Sequence, residues 1–209
     1  MLAHIARRIG PVSPDRAVLI AVDGVDGAGK TIFAQALVAH LERSGQRAIG
    51  VSIDGFHRPR VERYRRGRSS PEGFYRDSYD VEAFHAAVVA PTRPGGSMRV
   101  RPAVFDHATD SAVHPEEIDV AGAVVVVDGI FLRTVTDAWD LSVFLDVPFA
   151  ETYARMAERD GCPPAPEHPE NARYLEGQRL YLAEHDPAAR ADVLVDNTDP
   201  QRPVVVRGG

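Results

Sequence analysis

A single lysine stands among the 24 basic residues of this chain; the rest are arginine. It is Lys30, in Gly24-Val25-Asp26-Gly27-Ala28-Gly29-Lys30-Thr31, a full match to the phosphate-binding pattern G-x-x-x-x-G-K-[ST]. An arginine-rich composition explains why lysine is rare, but not why the survivor stands here. A compact ammonium on a flexible stem reaches between β- and γ-phosphates, whereas a planar guanidinium has another shape and another hydration. In such a loop the backbone N–H groups of residues 24–31 cradle phosphates, Lys30 offsets charge on the β- and γ-oxygens, and the Thr31 hydroxyl ligates Mg²⁺.

Phosphoryl transfer needs positioning and charge neutralisation, so acidic residues near this loop are the next candidates. Asp128 ends the apolar run at residues 123–128 (AVVVVD) and is followed by Gly129. It is placed to hold magnesium or its water shell; the plainer reading is a cap after a strand. Asp54 ends residues 47–54 (RAIGVSID). A carboxylate at that point can orient a substrate hydroxyl and accept its proton as the new bond forms. The plainer reading is a loop-capping aspartate.

The elements that must position these groups are legible in the pattern. Residues 16–23 (RAVLIAVD) read as a buried strand running into the glycine-rich loop. Ile32, Phe33, Ala36, Leu37, Val38 and Leu41 then give a helical spacing, closed by Gly45. Residues 47–54 read as a second strand, 55–80 as loop with short helical pieces, and 81–90 as a helix closed by Pro91. Residues 98–106 read as a strand, in a hairpin with 114–120. Residues 123–128 read as a central parallel strand and 141–147 as another. Residues 149–160 and 170–185 read as helices flanking a proline-rich loop, and 193–196 and 203–206 as closing strands. Strands alternating with helices give an α/β fold with a mostly parallel sheet and helices on both faces. Ligands gather at the carboxyl ends of such strands, so Asp23, Asp54 and Asp128 are expected along one edge.

The chain has 209 residues, 44% of them apolar and 26% charged, which suits one domain over 1–209. Residues 1–15 read as an N-terminal extension and about 160–172 as a small lid. The net charge of −6 advertises no affinity for nucleic acid. One cysteine, Cys162, leaves no internal disulfide and points to a cytoplasmic setting. No signal peptide is evident, and the longest apolar stretch, residues 121–127, is too short to span a bilayer.

The ordered set DGVDGAGKT, SIDGFHRPR, SPEGFYRDSYD, VVVVDGIFL, ARMAERD and YLEGQRLYLAEHDP resembles the uridine kinase-like members of the phosphoribulokinase/uridine kinase group of P-loop kinases. The resemblance covers about residues 16–200. It implies a P-loop fold, ATP and Mg²⁺, a small-molecule alcohol as acceptor, and an oligomer of like chains. It implies that Asp54 is the catalytic carboxylate, that Asp77 holds sugar hydroxyls, and that Arg155 and Arg159 close over the phosphates from the lid, with Arg173 a weaker candidate. Plainer readings are a helix N-cap for Asp77 and surface pairing for the arginines. His57 and His107 are candidates for contact with the acceptor; an exposed loop histidine is the plain alternative for each.

One feature departs from true uridine kinases. Arg58, Arg60, Arg63, Arg65, Arg66 and Arg68 put six arginines in eleven residues. A solvated charged face is the common meaning of such a run; a clamp for an anionic acceptor, with Arg58 among its ligands, is the sharper one. Uridine or cytidine is the first choice of acceptor, giving the 5′-monophosphate. Pantothenate or a sugar phosphate is the nearest alternative, and a P-loop NTPase acting as a regulatory switch is the rival of a different class.

Overall fold

The computed structural model describes residues 1–208. Among them, six strands form the central sheet: β1 (Val18–Gly24), β2 (Ala48–Ser52), β3 (Val124–Gly129), β4 (Leu141–Asp146), β5 (Val193–Asp196) and β6 (Val204–Arg207), in the order β6-β5-β4-β1-β3-β2. Four of the five pairings are parallel; the fifth, β5–β6, is antiparallel and closes one edge. The principal helices are α1 (Leu2–Ile9), α2 (Lys30–Arg43), α3 (Pro71–Asp77), α4 (Phe149–Asp160) and α5 (Ala172–His185).

The continuous apolar runs follow from this arrangement, because a central parallel strand is covered on both faces. Side chains alternate between those faces. In β1 and β3, Leu19, Ala21, Val125 and Val127 enter one buried cluster with Phe56, Phe74 and Phe84. Ile20, Val22, Val124 and Val126 enter the other, with Phe33, Leu37 and Leu41 of α2.

The N-terminal extension contains α1, whose Ile5 is buried in the second cluster. Two expectations are corrected. The helix at residue 81 does not stop at Pro91: it passes through a π turn at His85–Val89 and ends at Ala90–Thr92. Pro91 has no N–H to return to Ala87, and the Ala87 carbonyl instead accepts from the Arg101 N–H at 3.0 Å. The strand expected over residues 98–106 splits in two. Arg99–Val100 pairs with Ile118–Asp119, and Phe105–Asp106 with Ser111–Ala112. Pro102 lies between them and offers no ladder donor. The chain there packs on Gly55 instead, where Val104 donates its N–H to the Gly55 carbonyl at 2.8 Å.

Candidate active site

Register decides which groups meet. Asp128 in β3 is level with Val22 in β1 and with Ser52 in β2. The glycine loop after β1 and the turn after β2 therefore open on the same sheet edge. A cavity of about 200 Å³ there is lined by Lys30, Thr31, Asp54, Asp128 and Arg159, and also by Asp26 and Tyr79.

The loop itself is built to hold an anion. Gly27 and Gly29 have φ of +74° and +88°, left-handed values that favour glycine, and a Cβ on Gly27 would sit 2.6 Å from the Thr152 carbonyl. Gly29 is the N-cap of α2, and no side chain caps that helix. The N–H groups of Gly27, Gly29, Lys30, Thr31 and Ile32 find no protein acceptor among the described residues. Unsatisfied donors at the positive end of a 14-residue helix suit an anion such as phosphate. Lys30 donates from Nζ to the Val25 carbonyl at 2.8 Å, so its ammonium lies over the loop. These groups fit a polyphosphate.

Thr31 Oγ1 donates to Asp128 Oδ2 at 2.7 Å. Burial pushes the Asp128 carboxyl up from its ordinary range, against the hydrogen bond from Thr31. The pair offers two hard oxygens, the kind of partial ligand set Mg²⁺ takes when phosphates and waters complete its shell. Among the described residues no group of three or more His, Cys, Asp or Glu is placed to hold a metal ion by itself.

Asp54 is exposed at the start of the 3₁₀ turn Ile53–Phe56. Its N–H is 3.3 Å from Ser52 Oγ, and Tyr79 Oη donates to Oδ1 at 3.0 Å. Burial, with the Asp54 charge beside it, pushes the Tyr79 hydroxyl well above its ordinary range. It therefore stays protonated and remains a donor. His57 donates from Nδ1 to the Asp54 carbonyl at 2.9 Å, and its ring lies between Tyr79 and His107, each with centroids 4.6 Å away. Burial lowers the His57 pKa, which keeps the ring neutral at pH 7. His57 and His107 thus buttress Asp54 from outside the cavity lining.

Other expected residues are placed elsewhere. Asp23 does reach the carboxyl end of β1 but is only 4% exposed, taken by the Tyr181 hydroxyl and the Gly24 N–H. It does not line the edge with Asp54 and Asp128. Burial raises its pKa to about 6 despite those donors. The folded chain therefore binds this proton more tightly than the unfolded chain, whose value is 3.8. Stability from this site is greatest below the unfolded value and falls as pH rises towards 6, by about 3 kcal/mol in all. Urea unfolding at pH 4.5 and 7.5 tests this: pH 4.5 is already above the unfolded value, so Asp23→Asn should gain about 2 kcal/mol on the parent chain between the two.

Asp77 is also turned away from the cavity. It is 6% exposed and ion-paired with Arg65 at 3.1 Å and Arg66 at 2.9 Å. Four of the six arginines in the run are engaged by groups of the chain itself. Arg58 donates to the Tyr79 carbonyl and pairs with Glu62, and Arg63 donates to the Arg58 carbonyl and meets Asp110. Replacing Arg65 and Arg66 together by Ala leaves a buried carboxylate unpaired. It should cost about 1–3 kcal/mol of stability in thermal unfolding and leave turnover at saturating substrate within about twofold, since neither side chain lines the cavity.

Arg155 and Arg159 share a helix but not a task. Arg155 donates to the carbonyls of Gly27, Asn197 and Thr198, tying the glycine loop to the end of β5. Only Arg159 reaches the cavity, and it pairs with Asp160 at 2.6 Å. Arg173 is buried, holds the Gly67 and Arg68 carbonyls and lies over the Tyr64 ring. Sequence reasoning missed Tyr79, which lines the cavity, and Gln178, which anchors the loop by accepting the Asp26 N–H at 2.6 Å.

Comparison with known proteins agrees with this geometry. A uridine kinase from Leuconostoc citreum is 25% identical over 155 residues, 68% of each chain. The structure of a possible uridine kinase from Bacillus stearothermophilus superposes with a TM-score of 0.70 over 92% of this chain and 96% of that one, at 20% identity. A candidate fructose transport system kinase from Silicibacter sp. TM1040 gives a TM-score of 0.68 at 28% identity, over 87% of this chain and 92% of that one. The family model for phosphoribulokinase and uridine kinase matches residues 19–162, from β1 through the end of α4, and so takes in the loop around Lys30, Asp54 and Asp128. The chain is a kinase of the phosphoribulokinase/uridine kinase family.

Proposed function

We propose that the chain transfers the γ-phosphoryl group of ATP to a hydroxyl of a small, uncharged alcohol, uridine or cytidine first, giving the 5′-monophosphate. The observation that carries this is the convergence of Asp54 with Lys30, Thr31 and Asp128 in one cavity. The phosphate side and the proton-accepting side of a transfer reaction lie against each other.

The residues divide the work. The free N–H groups at the start of α2 hold the phosphates, and Lys30 offsets the charge that develops on the β- and γ-oxygens. Asp54, held by Tyr79, orients the acceptor hydroxyl and takes its proton as the oxygen bonds to phosphorus and ADP leaves. Arg159, freed from Asp160, supports the charge on the transferred group. Thr31 and Asp128 would hold Mg²⁺, which supplies charge neutralisation when bound. Arg155 acts on the loop, through its three carbonyls. Kinases of this family generally work with ATP and Mg²⁺, and a cytoplasmic setting belongs to the same reading.

Uridine is supported by the Leuconostoc relative's name. A neutral sugar is the second reading, favoured by the likeness at 28% identity to the candidate fructose transport system kinase. An anionic acceptor is disfavoured, because Arg58, Arg63, Arg65 and Arg66 already have partners within the chain. A switch without an acceptor has no use for a proton-accepting carboxylate facing the phosphate loop. The test is ADP release against uridine, cytidine, fructose, pantothenate and ribulose 5-phosphate. Turnover on uridine or cytidine supports the first reading, and turnover on fructose alone the second. ADP release independent of every acceptor overturns both.

A further inference from the structure

One carboxylate in the active-site cavity has no task in the transfer reaction. Asp26 sits inside the glycine loop, with its backbone N–H fixed by Gln178. Gln178 is itself 1% exposed and donates from Nε2 to the Tyr174 carbonyl at 3.1 Å. The Asp26 side chain lines the cavity that holds Asp54, and also an adjoining cavity of about 440 Å³ under the proline-rich loop, with Arg159 common to both. No donor among the described residues bonds its carboxyl. Burial pushes its pKa up; Lys30 and Arg159 favour the charged form, and Asp54 and Asp160 oppose it.

A carboxylate beside a polyphosphate site is electrostatically unfavourable unless a donor compensates it. The residue expected to hold acceptor hydroxyls, Asp77, is consumed by Arg65 and Arg66. The carboxylate in the same cavity as Asp54 that is left without a donor is Asp26. We propose that Asp26 accepts a hydrogen bond from a second hydroxyl of the acceptor, next to the one that Asp54 engages, so that the two carboxylates together select a polyol over an alcohol with a single hydroxyl in reach. For a nucleoside phosphorylated at the 5′ position the second group is the 3′-hydroxyl; for a sugar it is a neighbouring ring hydroxyl. The inference rests on the phosphoryl-transfer reading and adds to it the acceptor's class.

The experiment compares kcat/KM for uridine and 3′-deoxyuridine, or for the sugar that the chain turns over and its matching monodeoxy analogue. The parent chain, Asp26→Ala and Asp26→Asn are measured, with the unfolding midpoint of each. The parent should prefer the full polyol by roughly 10- to 100-fold, the worth of a hydrogen bond to a charged group. In Asp26→Ala that preference should shrink to within about threefold, through loss on the polyol only. Asp26→Asn keeps the shape and the bond to Gln178, guards against a folding failure, and should fall between. Equal loss on both acceptors would place Asp26 with the loop or the nucleotide and overturn the proposal, as would a parent chain that does not discriminate. A parent chain that phosphorylates no acceptor defeats the transfer reading itself, and this inference with it.

Discussion

Asp54→Asn is expected to lower kcat by roughly 10²- to 10⁴-fold, the range for removing a positioned general base. ATP binding should stay within about twofold. The asymmetry follows from the site. In the proposed reaction Asp54 serves the acceptor, and the groups that would hold phosphate belong to the glycine loop and α2, on the other side of the same cavity lining. Asparagine has the same shape and can still accept from Tyr79, and Asp54 is exposed, so the fold should be indifferent. Steady-state kinetics beside an equilibrium nucleotide-binding titration separates the two effects. Tyr79→Phe gives a graded version: the ring keeps its place on His57 while the hydroxyl that holds Asp54 is lost.

Lys30→Ala should cost roughly 10²- to 10³-fold in kcat from the lost stabilisation of developing charge, and it should also weaken ATP binding. Lys30→Arg should not restore the rate, because the guanidinium fork cannot occupy the position of a compact ammonium above the loop. The composition provides an independent check. Lys30 carries the only ε-amine in the chain, so an amine-selective reagent should modify one side chain, and MgATP should protect it. Protection without loss of activity on modification would contradict the assigned role.

Much of this site was legible because its signals are local. The loop pattern, the strand ahead of it and the helix after it are contiguous, and the run of valines before Asp128 marks a strand covered on both faces. Whatever depended on partners distant in sequence was not legible. The aspartate at 77 matched a family position, but its burial and its pairing with Arg65 and Arg66 depend on how a charged loop folds back over α3. Arg155 and Arg159 are equivalent in helical spacing. Only the tertiary placement of β5 shows that one binds carbonyls and the other faces the cavity. Tyr79 sits between Ser78 and Asp80 with no local pattern to mark it, since its role is set by a bond to a residue 25 positions earlier. The helix α1 did leave a trace, with Leu2, Ile5 and Ile9 at helical spacing, but eight residues is a short window. The π turn ahead of Pro91 depends on an acceptor contact with Arg101 that no window around the proline contains.

The central claim is that phosphate passes from ATP to an acceptor hydroxyl under the control of Asp54. Phosphorus NMR of a reaction containing ATP, Mg²⁺ and the acceptor chosen by the ADP-release panel follows that phosphate directly. The parent chain should convert the γ-phosphate into a phosphomonoester matched one to one by ADP, with no orthophosphate formed when the acceptor is omitted, and Asp54→Asn should show neither product on the same timescale. Orthophosphate appearing at an equal rate without acceptor, or phosphomonoester formed undiminished by Asp54→Asn, would contradict the account.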